Sequence, residues 1–109
     1  MPSKPNPDKP DRKRCAGMAE VRVEIDALDR AIVALLADRL HYIDEAARLK
    51  QRRDQVRDEA RIADVLAKVT AEARRLGADP AVVAAAYRAL VEASIAHEFD
   101  AFDRKGAQP

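Results

Sequence analysis

The sequence predicts an all-α fold of three helices, one long and two shorter, completed by a second copy of the same chain. Three observations carry this. Apolar residues recur in steps of three and four along most of the chain, as one face of an amphipathic helix requires. No stretch alternates apolar and polar residues as a half-buried strand would. The first helical pattern is also too long for a lone domain of this size to cover.

That pattern runs from about Met18 to Asp54 without Gly or Pro, and Val21, Ile25, Leu28, Ile32 and Leu35 form its stripe. It would extend roughly 50 Å, whereas a compact domain of this length is only about 30 Å across. A partner chain is therefore expected. Continuing the stripe lands on Arg39, Tyr42, Ala46 and Leu49, so a guanidinium takes a position due for a core residue.

Before this helix, residues 1–14 carry Pro2, Pro5, Pro7 and Pro10 among Lys, Asp and Asn and read as a disordered tail. The folded domain is expected over 15–104. The apolar stripe lapses across Gln51 to Arg57, which reads as a short connection. Asp58 then suits a helix N-cap, with Glu59 favoured in the first turn by the helix dipole. Ile62, Val65, Leu66, Val69, Ala73 and Leu76 supply the second stripe, which Gly77 closes after Arg74 and Arg75. Asp79 and Pro80 mark the third start, a capping carboxylate before a proline at the first helical position. Val83, Tyr87, Leu90, Val91, Ile95 and Phe102 carry that helix to about Arg104, and 105–109 should fray.

Composition narrows the function. With 109 residues, 48% hydrophobic and 36% charged, the chain is one small domain with a core but little area to bury it. A net charge of +1, from 20 basic and 19 acidic residues, argues against a nucleic-acid binder, and 4% aromatics leave little for base stacking. No apolar run reaches the length of a membrane span, and the N-terminus lacks the apolar centre of a signal peptide, so a cytoplasmic location is expected. The single Cys15 fits a reducing compartment. His41 and His97 stand apart from any partner at metal-ligand spacing, no Ser or Cys is arranged as a nucleophile, and the three glycines form no phosphate loop. Neither a metal nor a cofactor is expected.

The informative residues are charges on apolar faces. Arg39 and Lys50 are 11 residues apart, which brings them within about 20° of one helix face. Arg22 lies about 26 Å before Arg39 along the axis and about 100° round it, too far to join them on one chain, although an antiparallel partner helix would return it. Ser94 continues the series Tyr87, Leu90, Val91, and Glu98 follows one turn later. Arg61 adjoins the stripe begun by Ile62. Buried charges are costly unless paired or bound. Periodicity alone leaves two readings: Arg39, Lys50, Arg61 and Glu98 form a structural ion network, or they line a pocket for a small dianion.

The series Val21-Arg22-x-x-Ile25-Asp26-x-Leu28-Asp29, Leu35-Leu36-x-x-Arg39, Ala46 to Lys50, Val56-Arg57-Asp58-x-x-Arg61 and Glu92-x-Ser94 resembles the all-helical chorismate mutases, over roughly Cys15 to Phe102. The resemblance implies an intertwined homodimer of three-helix chains, each site completed by an arginine from the other chain. It further implies that Arg39 and the partner copy's Arg22 bind the substrate carboxylates with help from Arg61. Lys50 would donate to the ether oxygen of the breaking bond, Asp58 would orient the ring hydroxyl, and Ser94 would line the carboxylate side. Two positions depart from the usual bacterial pattern: Ile62 stands where a Glu commonly binds the hydroxyl, and Glu98 where a Gln commonly donates to the ether oxygen. A carboxyl group donates only when protonated, so an acid-favoured activity is expected. The scaffold also houses isochorismate pyruvate lyases, which the segment Cys15 to Arg22, the Tyr42 to Lys50 segment and the apolar Ile62 resemble, while Val56-Arg57-Asp58 is closer to the mutases. A helical dimerisation module whose inward charges fix register is the non-enzymatic alternative.

Overall fold

The computed structural model describes residues 12–107. Three helices, α1 (Met18–Leu49), α2 (Glu59–Arg75) and α3 (Pro80–Ala107), are joined by a 3₁₀ turn at Arg53–Gln55 and a tight turn before Pro80. No strand occurs among the described residues. At 28 residues α3 is almost as long as α1 at 32.

Helix α1 stops at Leu49, short of Asp54. Beyond Lys50 the chain turns on itself: the Gln55 side-chain oxygen accepts from the amides of Gln51 (2.9 Å) and Arg52 (3.0 Å). Val56 is then drawn inward to 4% exposure. Val56 is the first apolar side chain after Leu49, so its burial sets the depth at which the connection returns.

The helix boundaries downstream fall where local chemistry put them. Asp58 caps α2, its Oδ1 accepting from the Arg61 amide at 3.1 Å. Gly77, at φ +73°, ends α2 with bonds from Ala78 N to Ala73 O (2.8 Å) and Gly77 N to Arg74 O (3.2 Å), the paired closure of a Schellman turn. Asp79 accepts from the Ala81 amide at 2.9 Å and Pro80 opens α3. Lys105 to Ala107, expected to fray, are helical, because the Lys105 ammonium is bonded to backbone carbonyl groups at the end of α1. The expected tail lies outside the described residues except for 12–14, where Lys13 pairs with Glu20 (3.2 Å) and Glu24 (2.9 Å).

The chain divides within α1 into two compact units, Met1–Leu36 and Ala37–Pro109. In the first, the predicted stripe is not a core. Ile25, Leu28, Ile32 and Leu35 are 49%, 46%, 52% and 67% exposed. A continuous apolar face of this kind marks an interaction surface. In the second unit α2 packs along α3, and Ala47, Val56, Ala73 and Val91 form a small buried core. The end of α1 is joined to α3 by side chains: Arg39 to Ser94, Asp44 to His97 (2.7 Å), Lys50 to Glu98, and Lys105 to the α1 carbonyl groups.

The Gly77 closure gives a stability prediction. No atom lies within 4 Å of a Cβ built there, so a side chain would meet only backbone strain. Gly77→Ala is expected to destabilise the fold by about 1 kcal/mol, read as a lower urea midpoint at unchanged slope.

Candidate active site

Within the second unit, the C-terminal part of α1, the connection, α2 and α3 enclose a cavity of about 470 Å³, a size suited to a small metabolite. Apolar side chains including Ile43, Val65, Val91 and Ile95 wall it, and polar groups enter from each element. Arg39, Lys50, Asp58, Arg61, Ser94 and Glu98, singled out from sequence on three separate helices, all line it. Arg22, the remaining candidate, is exposed on the N-terminal unit and is not one of the lining residues.

Ser94 and Glu98 are the two buried polar residues among those described, at 4% and 5% exposure. Their spacing on α3 aims both at α1. Ser94 Oγ donates to the Leu90 carbonyl (2.7 Å) and so accepts, rather than donates, in its contact with Arg39 Nη1, also 2.7 Å. This fixes one edge of the guanidinium and leaves its other N–H groups for a ligand.

Lys50 Nζ donates to Glu98 Oε2 at 2.6 Å and to the Val56 carbonyl at 3.4 Å. Lys50 is held here because α1 ends one residue earlier, and the connection folds back to present Val56 beneath it. An ammonium carries three N–H groups, so one remains. Burial strengthens this pair while making either charge expensive alone.

Asp58 and Arg61 enter from the start of α2. Asp58 is committed on one oxygen to capping, and Arg61 Nη1 donates to Asp64 at 2.8 Å. The Asp64 carboxyl is held below its usual range, chiefly by hydrogen bonding from Lys68. Three cations, Arg39, Lys50 and Arg61, thus face two carboxylates, Asp58 and Glu98, and the lining carries one positive charge in excess. Beside the cavity, Arg57 clasps Glu92 on α3 through two bonds of 3.0 Å and donates to Glu59 at 2.7 Å. The Glu92 carboxyl is lowered by the Arg57 hydrogen bond, and the guanidinium is correspondingly raised. Arg53 adds a second clasp, to Asp103 at 3.0 Å with Phe99 beneath its guanidinium.

Sequence reasoning overlooked the Val56 carbonyl and the Arg57–Glu92 clasp as parts of this region. The first leaves no trace in residue type, whereas the clasp lay inside fragments already noted. Among the described residues no group of three or more His, Cys, Asp or Glu side chains is placed to hold a metal ion, and no helix is long and apolar enough to cross a membrane. The arrangement can bind an anion on fixed cations and donate a hydrogen bond from a partly buried ammonium. It offers no activated nucleophile.

Residues 21–99 match the sequence model of the family described as chorismate mutase type II. No curated protein matches the chain.

The buried pair makes its own prediction. Lys50→Met strands a carboxylate at Glu98 and should destabilise the protein by about 3 kcal/mol at neutral pH. Adding Glu98→Gln should recover most of that loss, since the amide needs no counter-charge; chemical denaturation of the two variants measures both.

Proposed function

The chain belongs to the type II chorismate mutase family, and we propose that it rearranges chorismate to prephenate, as a cytoplasmic homodimer whose two sites are each completed by the other chain. The observation that carries this reading is the pair of fixed cations in one cavity, Arg39 on Ser94 and Lys50 on Glu98.

The reaction breaks the ether C–O bond as a C–C bond forms, in one concerted step with no proton transferred. It needs a held conformation and a donor at the oxygen where negative charge develops. Arg39 takes a substrate carboxylate, with Ser94 setting the guanidinium plane. Lys50 uses its remaining N–H on the ether oxygen, and a preorganised donor there is worth about 3 to 4 kcal/mol. Asp58 accepts from the ring hydroxyl through the oxygen not used as a cap, and Arg61 assists by swinging from Asp64. Glu98 aims Lys50 by accepting from its ammonium.

A dianion still outnumbers the single excess positive charge of the lining. Arg22 from a second copy supplies the balance, and the exposed stripe of Ile25, Leu28, Ile32 and Leu35 is the surface that copy covers. One feature favours a second reading, pyruvate elimination from isochorismate: Ile62 lines the cavity, so the ring hydroxyl lacks the Glu that commonly binds it.

The purified protein should convert chorismate to prephenate and leave isochorismate intact; salicylate from isochorismate would select the lyase, and consumption of neither would select a structural module. Lys50→Ala should lower kcat by about 100- to 1,000-fold.

Sharing of the site is tested by mixing two inactive variants, Arg22→Ala and the stabilised Lys50→Met/Glu98→Gln. Exchanged heterodimers should regain activity because one of their two sites inherits every intact residue. No recovery in verified heterodimers would end the shared-site reading.

A further inference from the structure

We infer that Lys105 is a positioning residue for Lys50: its ammonium caps the C-terminal carbonyl groups of α1 and grips the backbone of Lys50 itself. Lys105 Nζ donates to Ala47 O at 2.7 Å, Arg48 O at 3.2 Å and Lys50 O at 2.5 Å. An ammonium has three N–H groups, and all three are used. The last carbonyl groups of a helix have no intrahelical partner, and they usually find one in a glycine turn just beyond the end. Helix α1 has no such turn, since Gln51 to Gln55 contain no glycine and fold by a 3₁₀ turn. The cap comes instead from the last turn of α3, 55 residues along the chain from Lys50.

Several features suit Lys105 to this task. A cation at a helix C-terminus is favoured by the dipole. The Phe102 ring lies 4.4 Å from the ammonium and covers it from another side. Ala47, whose carbonyl takes one of the bonds, is 2% exposed, so the capped turn cannot shift without disturbing the core. Lys50 is the junction between α1 and the connection, and its side chain must reach Glu98 from that point. Fixing the Lys50 carbonyl therefore fixes the origin of the side chain proposed to meet the ether oxygen. Glu98 and Lys105 sit on the same helix, so α3 holds Lys50 at both ends, tip and backbone.

This inference rests on the proposed rearrangement for its kinetic consequence but not for its structural one, and the test separates the two. Lys105→Met should lower kcat by about 10- to 100-fold, as a misplaced donor does, with KM for chorismate within about twofold, because Arg39 and Ser94 are untouched. The ¹³Cε resonance of Lys50, assigned by its loss in Lys50→Arg, should move in Lys105→Met. Arg53→Ala, which removes the Asp103 and Phe99 contacts from the same connection, serves as the control for lost stability and should keep both kcat and the Lys50 signal. The milder Lys105→Gln gives the same direction of change if Lys105→Met does not fold.

A Lys50 resonance at its wild-type position in the folded variants would overturn the proposal, as would an equal loss of kcat in Arg53→Ala. If the wild-type protein turns over neither chorismate nor isochorismate, the enzymatic reading fails on its own, and the movement of the Lys50 signal still decides whether Lys105 positions it.

Discussion

A charge pair occupies a position where a small domain would ordinarily place apolar bulk. Lys50 and Glu98 meet at 2.6 Å with the Glu98 side chain only 6% exposed, and removing two charges from water is repaid only by close geometry and further hydrogen bonds. Much of the second unit can be understood as supplying that geometry. Glu98 stands on a long helix and cannot wander. Lys50 follows directly on the end of α1, with the Val56 carbonyl below it and Lys105 on its backbone. Arg39 and Ser94 repeat the scheme one turn earlier on α3, with the Leu90 carbonyl dictating which way the hydroxyl proton points. The apolar core is small by comparison, and no large side chain in it is fully buried. Polar contacts here decide arrangement, and burial of apolar surface supplies only part of the cohesion.

The same shortage of core explains the first unit. Its stripe has the periodicity of a buried helix face and the exposure of a surface one. A chain that left such a face in water would forgo about 25 cal/mol for each Å² of apolar surface it failed to bury. In the proposed dimer, folding and assembly are one problem, and the charge count of the cavity ties the proposed function to both. A lining with one excess positive charge is a poor receptor for the proposed dianion by itself, and Arg22, the cation proposed to complete it, sits on the segment whose apolar face is exposed.

Legibility followed the range of the interactions. Asp58, Gly77, Asp79 and Pro80 act on atoms within a few residues of themselves, and each marked its helix boundary in sequence as it does in the structure. Arg39, Lys50, Ser94 and Glu98 were visible because a polar residue on an apolar stripe breaks a period, and the break survives without coordinates. Their pairing was not visible: periodicity offered an ion network that included Arg61, whereas Arg61 turns to Asp64 on its own helix and Arg39 takes a hydroxyl. The end of α1 was missed for a different reason. No Gly or Pro stops it, and its cap is a lysine 55 residues away, in a terminal segment whose sequence alone suggests fraying. A long-range cap leaves no local signature, so pattern reading prolongs the first helix and shortens the last.

The pair that is most expensive to bury is also the one that the proposed rearrangement, which transfers no proton, can use best. A donor fully in water must reorganise its solvent as charge develops on the ether oxygen of the proposed substrate, whereas Lys50 is partly buried and held, with two of its N–H groups committed and a third unclaimed. Glu98 holds that geometry at the expense of weakening the donor, because a carboxylate beside the ammonium offsets part of its field. A glutamine would leave the field whole but hold the ammonium less tightly, and an apolar residue would leave it unpaired. The choice of Glu98 therefore favours aim over strength.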